Sequence, residues 1–166
     1  MKNWKFSKFC YYSKKGRITN MEQELNEIGD ELKCPVAILV KDNKILTGHR
    51  HYASDNGEKN SVWTVPGGRS NKGEIMIDAL RREVFEEVGI TEFKIVDFIG
   101  EIAGAKEGDT VKIFFCTTNQ DFKLMEPEKF SEWRWVSKSE YIEGGEYLGF
   151  NMNARKLIVD YLKKLS

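Results

Sequence analysis

Apolar residues recur along this chain with two different periods, and the change from one to the other outlines its elements. Ile77, Leu80, Val84 and Val88 lie three or four residues apart within residues 74–88, a stretch without Gly or Pro. That spacing forms one stripe along a helix of about four turns, and Gly89 stands where a C-cap would end it. Ala154, Leu157, Ile158 and Tyr161 make a second helical pattern within residues 153–165. Met21, Leu25, Ile28 and Leu32 make a third, with Asn20 as N-cap and Glu22 and Glu24 in the first turn, although Gly29 weakens it. Residues 137–141 read as a short helical turn.

Between these segments the apolar runs are short. Residues 36–40 and 44–47 flank Asp42-Asn43, a hairpin signal, and the second run extends as a strand to Arg50. Residues 61–65 form another run before the central helix. After it, residues 93–102 and 111–117 read as strands around a turn at Gly108-Asp109, and residues 133–136 as one more. Mixed strands with one central and one terminal helix predict an α/β sandwich. Residues 1–33 stand apart as a partly helical N-terminal extension. Its aromatic start (Trp4, Phe6, Phe9, Tyr11, Tyr12) would cover the domain or a second subunit, or pack as an arm on its own core. Residues 34–166 make the domain proper.

Composition narrows the functional classes. At 166 residues, 40% of them hydrophobic, the chain can bury one core but not two. Twenty-six basic residues balance 26 acidic ones, so no global charge favours duplex nucleic acid. Cys10, Cys34 and Cys116 are odd in number and lack C-x-x-C spacing, which argues against a disulfide framework or structural zinc and for reduced thiols. No signal-peptide stretch or membrane-spanning run is found, and the expected location is the cytoplasm.

The chemistry is concentrated in the central helix and the loop before it. Glu83, Glu86 and Glu87 share one face at spacings where like charges repel. Standing alone, the triplet would read as a solvated acidic face neutralised by Arg81 and Arg82. Beside a loop rich in Gly, Ser and Asn, it reads instead as a platform for a hard divalent cation, which takes several oxygen ligands. From Gly68 onward the sequence GRSNKGEIMIDALRREVFEEVGI fills every fixed position of G-x5-E-x7-R-E-U-x-E-E-x-G-U, with U apolar. This resembles the Nudix box.

The resemblance covers residue 35 to the C-terminus and implies the Nudix fold, a mixed β-sheet sandwiched between α-helices. It implies that Glu83, Glu86 and Glu87, with the carbonyl of Gly67, hold Mg²⁺ (or Mn²⁺) on a pyrophosphate, that Glu83 also helps to activate water, that Glu74 supports them and that Arg82 orients them. Relatives of this kind often use a further loop glutamate. Glu128 is favoured for that role over Glu126, with Glu101 a weaker candidate. For the substrate, Arg50 and Arg69 are the candidate contacts with phosphate or sugar. Trp63, Trp133 and Trp135 would stack a base or belong to the core, while His49 and His51 read as surface residues.

Residues 126–129 before 133–136 look like the corresponding stretch of MutT-like nucleoside triphosphate pyrophosphohydrolases, and no proline follows Ile90 as in ADP-ribose hydrolases. Residues 65–69, Lys72 and residues 151–155 are similar to GDP-mannose mannosyl hydrolases, whose box is typically disrupted, whereas this one is complete. The expected activity is therefore Mg²⁺-dependent cleavage of a nucleoside triphosphate, or a related nucleoside diphosphate derivative, giving nucleoside monophosphate and pyrophosphate from a triphosphate. A nucleotide-sugar hydrolase is the alternative, followed by a non-catalytic binding module. The expected partner is a small nucleotide, with no membrane and no duplex nucleic acid; a homodimer stays open.

Overall fold

A computed structural model describes residues 20–53, 59–147 and 151–165. The expectations for the aromatic start and for Cys10 lie outside these residues. Strand β1 (Lys33–Lys41) turns into β2 (Lys44–Ala53) through Asp42 and Asn43, whose φ values of 50° and 59° suit a tight hairpin. Strand β5 (Thr110–Thr117) runs parallel to β1 from Lys33↔Thr110 to Val40↔Thr117, and β4 (Lys94–Ala103) pairs antiparallel with β5. The β4 register slips twice, at Val96 and at Ile99, so these two residues have no partner across the strand pair.

Strand β2 organises the other half of the six-stranded sheet. One edge carries β6 (Phe130–Ser137). The other edge meets β1 near Ile45 and then β3 (Lys59–Thr64) from Gly48 onward. Residues 66–70 continue from β3 along the free edge of β1, through Ala37 N to Pro66 O (2.8 Å), Gly68 N to Pro35 O (3.2 Å) and Ser70 N to Lys33 O (2.8 Å).

Side-chain alternation distributes the core over both faces of the sheet. Ala37 and Leu39 of β1, Leu46 of β2, and Phe114 and Cys116 of β5 pack beneath helix α2 (Met76–Val88). Ile38, Ile45, Ile113 and Val136 pack beneath α3 (Lys138–Glu143) and α4 (Met152–Lys164). Strand β1 reads as an unbroken apolar run because helices cover both its faces. The mixed sheet between helices is the expected architecture. Among the described residues no helix is long and apolar enough to cross a membrane.

The N-terminal helix is shorter than its periodicity predicts. Helix α1 (Asn20–Leu25) starts at Asn20, and the chain leaves the helix before Ile28, which forms an isolated antiparallel bridge with Ile75. Ile28 and Leu32 are exposed; only Leu25 of the four expected apolar residues is buried. Backbone pairing with residues 73–76 has displaced the helix there. At α2, Ile75 is the N-cap, so the helix begins two residues later than expected and Met76 rather than Ile77 is fully buried.

Candidate active site

The loop before α2 is held against β1 by backbone geometry that admits only glycine at its centre. Gly67 has φ 147°, and a Cβ there would run into the carbonyl of Pro35 and the backbone of Val36. A Cβ on Gly68 would overlap the carboxylate of Glu83. The chain thus brings the Gly67 N–H within 2.9 Å of Glu87 Oε2, joining loop and helix across twenty residues. At the far end Gly89 closes α2 with φ 67°, its N–H donating to Phe85 O.

Arg82 is the hub of the acidic face. Its Nε and Nη2 donate to the two oxygens of Glu74 (2.8 and 2.9 Å), and Nη2 also donates to Arg69 O (2.9 Å). Its Nη1 reaches Glu83 (2.6 Å) and Glu86 (3.2 Å). Burial alone would raise the Glu74 carboxyl, but the Arg82 fork and the Asn71 N–H hold it below its ordinary value. Glu83 goes the other way, since burial outweighs its bond to Arg82. Glu87 is only 3% exposed, and burial pushes it up to about 8 against the pull of the Gly67 N–H, with the nearby charges of Glu83 and Glu126 adding to the rise.

Glu83 and Glu87, one helical turn apart, both border a cleft of about 790 Å³. Its floor is the sheet face at Val36, Thr47, Trp63 and Val111, and its far wall is Tyr141, Tyr147, Ala154 and Ile158. Of the residues singled out in the sequence, Arg50, Trp63, Gly67, Arg69, Glu83 and Glu87 meet here. Arg50 lies over the rings of Tyr52 (5.0 Å) and Phe130 (5.5 Å). Arg69 is already committed to an ion pair with the buried Asp109 and to the Glu31 carbonyl (3.0 Å). His49 stacks on Trp63 at 4.9 Å, so it supports the floor of the cleft rather than standing alone on the surface.

Other candidates are placed elsewhere. Trp133 is a core residue, packed on Gly48 and Phe130 and 4% exposed. Trp135 bonds Asp121 through its indole N–H (2.7 Å). Glu128 sits on the exposed side of its turn, whereas Glu126 pairs with Lys129 (2.6 Å) and its charge bears on Glu87. Glu126 rather than Glu128 is thus the loop carboxylate whose charge reaches the cluster. Glu86 is half exposed and turned toward Arg82. Among the described residues no three acidic, imidazole or thiol groups converge into a ready ligand cage.

Sequence reasoning missed Lys129, Tyr52 and Tyr147 as lining residues. Tyr52 was within reach, because strand alternation puts it on the same face as Arg50. Lys129 directly follows Glu128, and one lysine in a loop of mixed charge carries no sequence signal. Tyr147 belongs to a single 3₁₀ turn (Gly145–Tyr147) without a sequence signal.

The family model described as NUDIX domain matches residues 33–160. An RNA pyrophosphohydrolase from Bartonella clarridgeiae is 31% identical over 134 residues, covering 65% of this chain and 77% of the relative. An 8-oxo-dGTP diphosphatase from Buchnera aphidicola is 30% identical over 105 residues, covering 63% and 73%. Among solved structures, a MutT protein from Methanosarcina mazei Go1 superposes with a TM-score of 0.63 over 81% of this chain and 94% of that one. At 21% identity that likeness speaks for the fold.

Proposed function

The chain belongs to the Nudix family and is a hydrolase acting on phosphorus-containing anhydrides, and from that premise we propose that its substrate is a nucleoside triphosphate or a related nucleoside diphosphate derivative, cleaved with Mg²⁺ (or Mn²⁺). The observation that carries this reading is one cleft with three kinds of lining: the carboxylates of Glu83 and Glu87, the cations Arg50 and Lys129, and the rings of Tyr52, Trp63 and Tyr147. Carboxylates suit metal ions, cations suit phosphate oxygens, and rings suit a base. The two relatives named for RNA and for 8-oxo-dGTP differ in substrate but share a nucleotide anhydride.

The donor set fits a divalent ion. Glu87 is buried and Glu83 partly buried at the cleft, and burial raises both carboxyls above their ordinary value, a desolvated charge that a cation relieves. With the Gly67 carbonyl they would hold it, and when bound it lowers the pKa of water and neutralises charge on the phosphates. The chain's own groups do the rest. Glu74 fixes Arg82, and Arg82 fixes Glu83 and Glu86. Arg50 and Lys129 bind and orient phosphate oxygens. Glu126, close enough to influence Glu87, is the loop carboxylate that takes a proton from water. A triphosphate would yield nucleoside monophosphate and pyrophosphate.

Asn151 and Arg155, which suggest the sugar-nucleotide reading, have structural partners. Asn151 caps α4 and bonds Ala103 O (3.0 Å), and Arg155 donates to the carbonyls of Tyr141 and Ile142. The test is a panel of nucleotides, nucleotide sugars and dinucleotides in ¹⁸O-labelled water with added Mg²⁺. Label is expected in a phosphate-containing product. Label in a free sugar beside unlabelled nucleoside diphosphate would replace this reading with the nucleotide-sugar one, and tight binding without product would favour a binding module.

A further inference from the structure

Helix α2 lacks a side-chain cap, yet its first N–H is not free. Met76 N donates to Glu27 O (2.9 Å). Two more backbone bonds join the same stretches, from Gly29 N to Glu74 O (2.7 Å) and from Gly73 N to Gly29 O (2.9 Å), across the Ile28↔Ile75 bridge from the Met76 bond. Glu31 O accepts from Arg69 (3.0 Å). Gly29 lies so close to Ser70 that a Cβ would overlap its side chain. Residues 27–31 therefore run as a strap along the loop that carries Arg69 and Glu74, opposite the side where that loop is bonded to β1.

The strap is anchored at a buried cation. Lys112, the third residue of β5, with its side chain 4% exposed, is ion-paired with Glu24, with Glu27 (2.7 Å) and with Glu101 across the strand pair (2.6 Å). Lys33 adds a second hold through Glu27 (2.7 Å), Asp30 (3.6 Å) and the Ile28 carbonyl (3.2 Å). Leu25 is buried under α2 just before the strap. Without Lys112, Glu24, Glu27 and Glu101 would face one another at its place with no cation between them, and their repulsion would lift the strap.

We infer that residues 27–31 are a positioning strap for the reacting centre and that Lys112 is the positioning residue that locks it. The path is continuous. Lys112 holds Glu27, the strap's backbone holds Glu74 and the start of α2, Glu74 holds Arg82, and Arg82 holds Glu83 and Glu86. The inference rests on the reading of Glu83 and Glu87 as the reacting centre.

The test compares full-length Lys112→Met with Lys112→Arg. Amide hydrogen exchange in metal-free protein reads the strap directly, because Gly73 N and Met76 N donate to it. Exchange at both amides is expected to quicken at least tenfold more in Lys112→Met than at core amides of β5, and to stay near wild type in Lys112→Arg. With Mg²⁺ and a nucleotide that the wild type cleaves, kcat should fall about ten- to a hundredfold, with KM changed less than threefold and recovery in Lys112→Arg. If Lys112→Met does not fold, Glu27→Gln, which keeps the capping carbonyl, reads the same two quantities with the same signs. Unchanged exchange at Gly73 and Met76, or quickened exchange with unchanged kcat, would overturn the inference. If the wild type cleaves nothing in the panel, the functional reading has failed, and the strap stands or falls on exchange alone.

Discussion

Helices α2 and α4 are each thirteen residues long and lie on opposite faces of one sheet, but they are built differently. Helix α4 follows the rules for a stable helix. The Asn151 side chain accepts from the N–H groups of Asn153 and Ala154, Lys163 and Lys164 complement the dipole at the far end, and Lys156 pairs with Asp160 at 2.6 Å. Helix α2 has no side-chain cap, no basic residue in its last turn, and instead Glu86 and Glu87 where the dipole disfavours negative charge. These departures fall at the loop and the cleft. Local consistency gives way at the proposed reacting centre, and neighbours such as Arg82 and the strap compensate.

The sharpest way to break this contrast is Glu87→Gln. Hydrolysis should fall about a hundred- to a thousandfold, because charge stabilisation at the reacting phosphate is lost, while the fold persists. Stability should move the other way. Glu87 has an ordinary value of 4.5 and a folded value of about 8. Between these values the native state keeps a proton that the unfolded chain releases, so metal-free wild type should lose a few kcal/mol as pH rises from about 5 to 8. Thermal unfolding should show that loss, and show it reduced by Mg²⁺ or by Glu87→Gln. An equal loss in the variant would remove Glu87 as its source.

A smaller effect is expected of Gly68→Ala. The new methyl meets the flexible end of Glu83 rather than backbone, so the protein should fold while Glu83 is displaced and turnover drops about ten- to a hundredfold. Near-normal turnover would mean that the placement of Glu83 is unimportant. The smallest effect belongs to α4. Lys156→Ala removes an exposed pair and should lower the melting temperature only slightly, with kcat unchanged. A loss of kcat there would show that α4 is no mere support.

Much of this was legible in the sequence because it is local. Residues three or four apart gave α2 its stripe and its acidic face, Asp42-Asn43 gave the hairpin, and the spacing from Gly68 to Ile90 gave the family. What was not legible depends on pairing between distant residues. Arg69 was expected at the substrate, and its ion pair with Asp109 is forty residues away. Lys112 meets Glu24 across eighty-eight. Trp133 lies in the core because Gly48, on the neighbouring strand, leaves room for its ring. The helical period of Met21, Leu25, Ile28 and Leu32 lost to backbone bonds with residues 73–76. Glu126 and Glu128 differ by two positions, and only the packed turn separates their surroundings.

The two slips in the β4 register bear on the behaviour of the protein in crowded solution. Strand β4 ends the sheet, and such a strand can template the addition of another chain by offering evenly spaced donors and acceptors. The unmatched Val96 and Ile99 break that even spacing within four residues and twist the ribbon. A stray strand that finds the first matching bonds soon meets a mismatch. The irregularity thus discourages aggregation at the terminal strand of the sheet.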